Sequence, residues 1–169
     1  GVQVPNRLTV QPMEGFDADN AGLPGQLAYR RYGRYAAGGS GMIWLEACSV
    51  VPDGRSNPFQ LMINPENVRE YKKFTDHIRQ TAMDVFGADH RPFLVLQLTH
   101  SGRYSKPYDG YQTKIFSNNP ILELPGEHSF YTDAEIDEIK AAYIRAVGLA
   151  EEAGFDAVDV KACHGYLLH

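Results

Sequence analysis

Short apolar runs of β-strand length recur along this chain, and each is followed by a segment with helical spacing. The four apolar runs span 7–11, 41–48, 93–98 and 157–161. The second and third runs are apolar at almost every position, which is typical of strands covered on both faces. The alternation of strand and helix predicts a parallel sheet whose connecting helices lie outside it.

Three amphipathic helices are predicted between these strands. The first is opened by Pro24 and ended by Gly38-Gly39, and the second begins at Asn64-Pro65 and ends at Gly87. The third begins at Thr132, which forms a capping box with Glu135, and ends at Gly154. The residues predicted to face the core are Leu27, Tyr32, Tyr35 and Ala36, then Val68, Tyr71, Phe74, Ile78, Ala82 and Val85, then Ile136, Ile139, Tyr143, Val147 and Ala150.

The faces of the last strand favour a closed barrel over an open, doubly wound sheet. Val158 and Val160 share one face, while Asp159 and Lys161 share the other. A barrel interior tolerates polar groups near its rim, and no glycine-rich phosphate motif follows the first strand. We therefore predict an α/β fold, a (β/α)8 TIM barrel of which about the first four βα units are present.

Four strands make half of such a barrel, whose usual size is about 250 residues. We expect residues 1–169 to be the N-terminal half of one barrel domain, truncated at the end of the fourth strand, with the other half on the parent polypeptide. Half a barrel leaves two sheet edges unpaired, so we expect the chain alone to be unstable as a monomer.

Composition narrows the classes of partner. The chain has a net charge of −5 and 43% hydrophobic residues, which is typical of a globular protein and argues against a nucleic-acid partner. No apolar stretch approaches the ~20 residues of a membrane helix. Cys48 and Cys163 form no CxxC pair and no disulfide framework, which favours a reducing cytoplasm. No metal site is predicted.

Polar and ionisable residues follow each strand, at the rim where barrel active sites are built. The residues at the four tips are Glu14, then Glu46 with Ala47 and Cys48, then Gln97 with His100-Ser101-Gly102-Arg103, then Lys161, His164 and Tyr166. The last three fall at i, i+3 and i+5, close enough to converge on one small molecule. Two structural alternatives stay open: Gln97 as a satisfied core amide, and Glu46 as a buried partner for Arg103 or Lys161.

Five ordered motifs resemble the Old Yellow Enzyme family of FMN-dependent NAD(P)H:flavin oxidoreductases, which includes the barrel domain of 2,4-dienoyl-CoA reductases. The motifs are Pro5-Asn6-Arg7 with Gln11-Pro12-Met13, Gly39-Ser40-Gly41-Met42-Ile43 with Glu46-Ala47, Val51-Pro52-Asp53-Gly54-Arg55, Gln97-Leu98-Thr99-His100-Ser101-Gly102-Arg103, and His164-Gly165-Tyr166-Leu167-Leu168. They occur in the family's order and cover nearly the whole chain.

The resemblance implies a role for each site residue. Gln97 would bind the pyrimidine edge of FMN, and the backbone around Pro12, Met13 and Ala47 would line the flavin ring. Tyr166 would deliver a proton to the substrate carbon, and His164 would polarise the substrate's carbonyl or carboxyl oxygen.

Two positions depart from the family pattern. Lys161 stands where many members have a histidine, and Glu14 stands where threonine or cysteine is frequent near the flavin. A cation at 161 could stabilise an anionic substrate group or the reduced flavin. A carboxylate at 14 would oppose negative charge on the reduced flavin unless it is paired, and Lys161 is the candidate partner.

The loop from Thr99 to Tyr131 spans 33 residues, far more than the usual 2–6 residues of such connections. Its aromatic residues predict either a lid or one wall of the substrate pocket, or a surface loop without a role. The leading hypothesis is a cytoplasmic, homo-oligomeric enzyme that uses NADH or NADPH to reduce an unsaturated carbonyl or carboxylate compound through FMN. The alternative is a non-catalytic half-barrel that serves as a structural or assembly module.

Overall fold

The fold is a four-stranded parallel sheet with three helices. A computed structural model describes residues 2–108, 110, 114–121 and 128–169. In chain order the elements are β1 (Thr9–Val10), α1 (Gln26–Ala37), β2 (Met42–Ser49), α2 (Val68–Phe86), β3 (Phe93–Thr99), β4 (Lys114–Ile115), β5 (Ser129–Phe130), α3 (Asp133–Glu152) and β6 (Ala157–Val160). Short 3-10 turns lie at Pro52–Gly54 and Gly102–Tyr104.

All four predicted strands are present and pair in parallel in the order β1-β2-β3-β6. The first is shorter than predicted, because only Thr9 and Val10 pair with β2. β2 contains a bulge: Leu45 pairs with Leu96 and Cys48 with Leu98. Glu46 and Ala47 therefore both lie opposite Gln97. A bulge redirects side chains at the end of a strand, and here it lies at the predicted site.

One face of the sheet packs against the helices and forms the core. Ile43 and Leu45 of β2 and the three leucines of β3 are fully buried in one cluster with residues of the helices. The alternate residues of the strands, among them Trp44, Gln97 and Asp159, are outside this cluster. Because side chains alternate along a strand, these residues share the opposite, inner face of the sheet.

The helices follow the predicted apolar pattern with three corrections at its margins. Leu27 is 60% exposed, Val85 55% and Val147 42%, although the spacing placed them in the core. The sheet and neighbouring helices cover only the centre of each apolar stripe, and these residues lie at its border. α2 begins at Val68, later than predicted. The Asn64 side chain nevertheless accepts hydrogen bonds from the N–H groups of 66 and 67, as predicted for a helix cap. Residues 65–67 form a turn that precedes the regular helix.

Part of the long loop after β3 is packed. β4 and β5 pair in parallel, Ile115 is buried, and the Tyr131 N–H donates to the Ile115 carbonyl at 3.0 Å. In contrast, Phe116 and Phe130 are about half exposed. Tyr111, one of the aromatic residues that suggested a lid, lies outside the described residues.

The chain after β6 forms two turns and does not enter a helix. His164 and Gly165 both have positive φ angles, 61° and 69°, which a right-handed helix excludes. This segment packs on the end of β3: the Leu167 N–H donates to the His100 carbonyl at 3.2 Å. Gly102 allows the approach, since a Cβ there would lie 2.7 Å from the Leu167 nitrogen.

Neither a membrane-spanning helix nor a metal-binding cluster is found in the part of the chain that the structure describes. No described helix is long and apolar enough to cross a bilayer. No group of three or more His, Cys, Asp or Glu residues among those described is arranged to hold a metal ion.

Candidate functional site

The three residues predicted to converge after β6 do lie together. The Lys161 ammonium lies over the ring of Tyr166, 4.4 Å from the ring centroid. The His164 ring is edge-on to the Tyr166 ring, with centroids 6.2 Å apart. Lys161 is only 8% exposed, whereas His164 is exposed. The left-handed turn at 164–165 therefore brings an accessible imidazole and a buried ammonium to one phenol.

The phenol of Tyr166 is kept in its protonated form. Burial raises its pKa above the ordinary value of 10.0, and the charge of Glu14 raises it further, while a hydrogen bond with Ser101 lowers it. The ring of Tyr104 lies 6.1 Å from that of Tyr166. One aromatic residue of the long loop thus borders the site, in agreement with a wall rather than a surface loop at that point.

Glu14 is held by residues that the sequence did not reveal. Its carboxylate accepts hydrogen bonds from Ser56 Oγ at 2.8 Å and Gln60 Nε2 at 3.1 Å. Burial raises the pKa of Glu14; these hydrogen bonds and the charges of Lys161 and His164 act in the opposite direction. Lys161, the expected partner, therefore acts on Glu14 through charge attraction, while the hydrogen bonds come from the loop after β2.

Gln97 lies on the inner face of β3 and is 8% exposed. Its Nε2 donates to Oδ2 of Asp159 at 2.7 Å, and the two residues are register partners on β3 and β6. On β2, the strand that pairs with β3 on the side opposite β6, Ala47 is buried, and its carbonyl oxygen accepts a hydrogen bond from Gln60 Nε2 at 3.3 Å. One amide N–H and the carbonyl oxygen of Gln97 remain for another partner.

Glu46 has different partners from the two that the sequence suggested. Its carboxylate contacts the Arg31 guanidinium and accepts from Tyr32 Oη at 3.1 Å and from the Gly15 N–H at 2.7 Å. Arg31 also pairs with Asp17 at 2.6 Å. Burial raises the pKa of Glu46, and the hydrogen bond from Gly15 and the charge of Arg31 oppose this.

This cluster also fixes the loop that carries Pro12, Met13 and Glu14. The Gly15 N–H bound by Glu46 comes directly after Glu14. Pro12 is partly buried, and the Met13 side chain is 70% exposed at the tip of β1. The loop thus presents an apolar side chain at the rim of the sheet, on a backbone that is tied to β2.

His100, one of the residues that the sequence placed at the tip of the third strand, is buried. It is 1% exposed, its Nδ1 accepts from the Gly102 N–H at 3.1 Å, and its ring lies edge-on to Tyr131. Burial lowers its pKa to about 4, and the charge of Asp53 opposes this only in part. The neutral ring is therefore a structural support beneath the site.

Parallel strands with outer helices and ionisable groups at the carboxyl ends of the strands define a class, the α/β-barrel enzymes. The chain belongs to the NADH:flavin oxidoreductase / NADH oxidase family, whose model matches residues 1–169. It is 32% identical over 171 residues to an NADPH dehydrogenase of Listeria monocytogenes serotype 4b, covering 99% of this chain and 47% of that protein. An NADPH dehydrogenase of Clostridium acetobutylicum is 31% identical over 177 residues, covering 97% of this chain and 46% of that protein.

Solved structures confirm the predicted fold class. Morphinone reductase superposes with a TM-score of 0.77 at 23% identity, over 97% of this chain and 46% of that chain. A 2-naphthoyl-CoA reductase complex superposes with a TM-score of 0.78 at 20% identity, over 97% of this chain and 26% of that chain. The chain is a partial TIM barrel of the Old Yellow Enzyme type, and it spans about half the length of the curated relatives it matches.

Proposed function

We propose that the protein carrying this chain is an FMN-dependent oxidoreductase that reduces an activated C=C bond of an unsaturated carbonyl or carboxylate compound, with NADH or NADPH as reductant. The observation that carries the proposal is the cluster after β6. The buried ammonium of Lys161 lies 4.4 Å from the centroid of the Tyr166 ring, whose phenol is protonated. Family membership supports flavin chemistry. The cluster supports proton delivery to a substrate whose oxygen gains negative charge during the reaction.

The inner face of the sheet fits a flavin. Gln97 offers a carbonyl oxygen and one N–H, which suit the alternating donors and acceptors of the flavin pyrimidine edge. Ala47 is small and lies opposite Gln97 at the bulge, and Met13 offers an exposed apolar side chain at the rim. We assign Pro12, Met13, Glu14, Ala47 and Gln97 to the FMN site. When bound there, FMN supplies the hydride chemistry.

The protein's own residues would supply binding and protons. The Tyr166 phenol donates a proton to the substrate carbon adjacent to the carbonyl. Lys161 and His164 bind the substrate oxygen, and the Lys161 cation stabilises the negative charge that develops on it. Since the Lys161 ammonium lies over the Tyr166 ring, its positive charge would also favour the phenolate that remains after proton transfer.

Glu14 tempers the charge of this site. Burial raises the pKa of Glu14, and the charges of Lys161 and His164 act in the opposite direction. The attraction between Glu14 and Lys161 compensates the buried ammonium when no anion is bound.

In this proposal, residues 1–169 are the N-terminal half of one FMN-binding barrel domain, in agreement with the 47% share of the Listeria relative that they match.

Cys48 and Cys163 are both free thiols, which suits a reducing cytoplasm.

Flavin binding by the natural polypeptide tests the proposal. We expect the purified protein to show flavin absorbance and the flavin to be bleached anaerobically by NADH or NADPH. Gln97→Met should weaken FMN binding about tenfold, the value of roughly one hydrogen bond. Gln80→Met, at an exposed position of α2, is the matched control. A protein that neither contains nor binds FMN would refute the proposal.

A further inference from the structure

The contact between Gln97 and Asp159 has a directional consequence. A carboxylate only accepts hydrogen bonds, whereas a glutamine amide has a donating and an accepting end. With Asp159 Oδ2 at 2.7 Å, the amide must present its nitrogen to Asp159, because its oxygen would be repelled there. The carbonyl oxygen of Gln97 is therefore turned away from Asp159.

Packing does not account for the carboxylate of Asp159. Asp156, three residues earlier, pairs with Arg79 and Arg91 and also accepts from the Leu94 N–H, so it joins β6 to α2 and β3. Among the described residues, Asp159 belongs to no ion pair, and Gln97 is its hydrogen-bond donor. A partly buried acid on the inner face of a sheet is costly unless it is satisfied. Its one described contact is with the residue assigned to the flavin.

We propose that Asp159 is a positioning residue for FMN: it fixes the orientation of the Gln97 amide so that the carbonyl oxygen accepts from the ring N–H of the flavin pyrimidine. The inference rests on the proposed function. Register supports it, since Gln97 and Asp159 are direct partners on β3 and β6. Two strands flank Gln97. On the β2 side, the bulge brings Glu46 and Ala47 opposite it, and on the β6 side Asp159 is the polar residue in contact with its amide.

Asp159→Asn is the sharpest perturbation. Asparagine has nearly the same shape, but it can donate or accept, so the Gln97 amide loses its fixed orientation. We expect the Kd for FMN, measured by fluorescence quenching of the flavin in the natural polypeptide, to rise about tenfold, equivalent to one hydrogen bond. The visible absorption bands of the bound flavin should shift as well, which a loss of stability alone would not cause. Asp76→Asn, on the exposed face of α2, is the control.

A double-mutant cycle tests whether Asp159 acts through Gln97. In a Gln97→Met background, Asp159→Asn should change the Kd less than about twofold. Circular dichroism of each variant checks folding, and Asp159→Ser replaces any variant that does not fold, with the same expectations. Unchanged affinity and spectrum in Asp159→Asn would overturn the inference, as would an equal loss in both backgrounds. A wild-type protein that binds no FMN would instead refute the proposed function.

Discussion

His100 should make the folded state sensitive to acid. Its ordinary pKa of 6.5 falls to about 4 in the folded protein because the ring is buried. As the pH falls below 6.5, His100 is protonated in the unfolded chain but not in the folded protein. The free energy of unfolding therefore decreases until the pH reaches the pKa of the folded state. The two pKa values give a loss of about 2 kcal/mol between pH 7 and 5, and about 3 kcal/mol by pH 4.

His100→Asn separates this effect from other acid titrations. The asparagine oxygen can still accept from the Gly102 N–H, but it does not titrate. We expect a lower stability at pH 7, because ring packing against Tyr131 is lost, and a loss between pH 7 and 4 that is smaller than in wild type by about 3 kcal/mol. Urea unfolding followed by circular dichroism measures it, with His77→Asn on the exposed face of α2 as control. Parallel pH profiles for wild type and His100→Asn would refute the reasoning.

Three further predictions concern α3, substrate charge and the sheet edges. Thr132→Ala removes the observed capping box and should lower the free energy of unfolding by about 1 kcal/mol in urea titrations. Thr132→Ser keeps the hydroxyl group and should not. Equal stabilities of the two variants would contradict this prediction. Lys161→Met should weaken the binding of carboxylate inhibitors about tenfold more than the binding of neutral inhibitors, as measured by titration of the bound flavin, and Lys140→Met is the control. An equal loss of affinity for both kinds of inhibitor would exclude a charge role for Lys161. The 169-residue chain expressed alone should lack turnover and self-associate in sedimentation experiments. The reason is that, among the described residues, β1 and β6 form the two open edges of the sheet. A monomer that oxidises NADH with an enone would contradict this prediction.

Local sequence signals predicted the elements of the fold well. The capping box of Thr132 and Glu135 is present, with both reciprocal hydrogen bonds, because it needs only residues three positions apart. The β3 leucines are buried together as the strand period required. The regular part of α2 begins at Val68, later than predicted. The predicted cap is still present, since Asn64 accepts hydrogen bonds from the N–H groups of 66 and 67, and residues 65–67 form a turn before the helix.

The proximity of the three residues after β6 was predictable from the sequence, but the partners of the other candidate site residues were not. Lys161, His164 and Tyr166 are close in sequence, so their convergence followed from spacing. In contrast, Glu14 binds Ser56 and Gln60, which are more than 40 positions away. Such partners depend on how two loops pack together at the end of the sheet, and the pattern of apolar and polar residues along the sequence carries no information about that packing. The pairing of Glu46 with Arg31 was missed for a similar reason, since it depends on how α1 packs against β2.

The most direct test of the account is the effect of Tyr166→Phe on the two half-reactions. In stopped-flow experiments on the natural polypeptide, reduction of the flavin by NADH or NADPH should remain nearly unchanged, because it requires no proton at carbon. Oxidation of the reduced flavin by an unsaturated carbonyl substrate should slow by about 10²–10⁴-fold, the usual contribution of a positioned acid. Equal rate losses in both half-reactions, or no loss in the second, would contradict the assignment of Tyr166 as the proton donor.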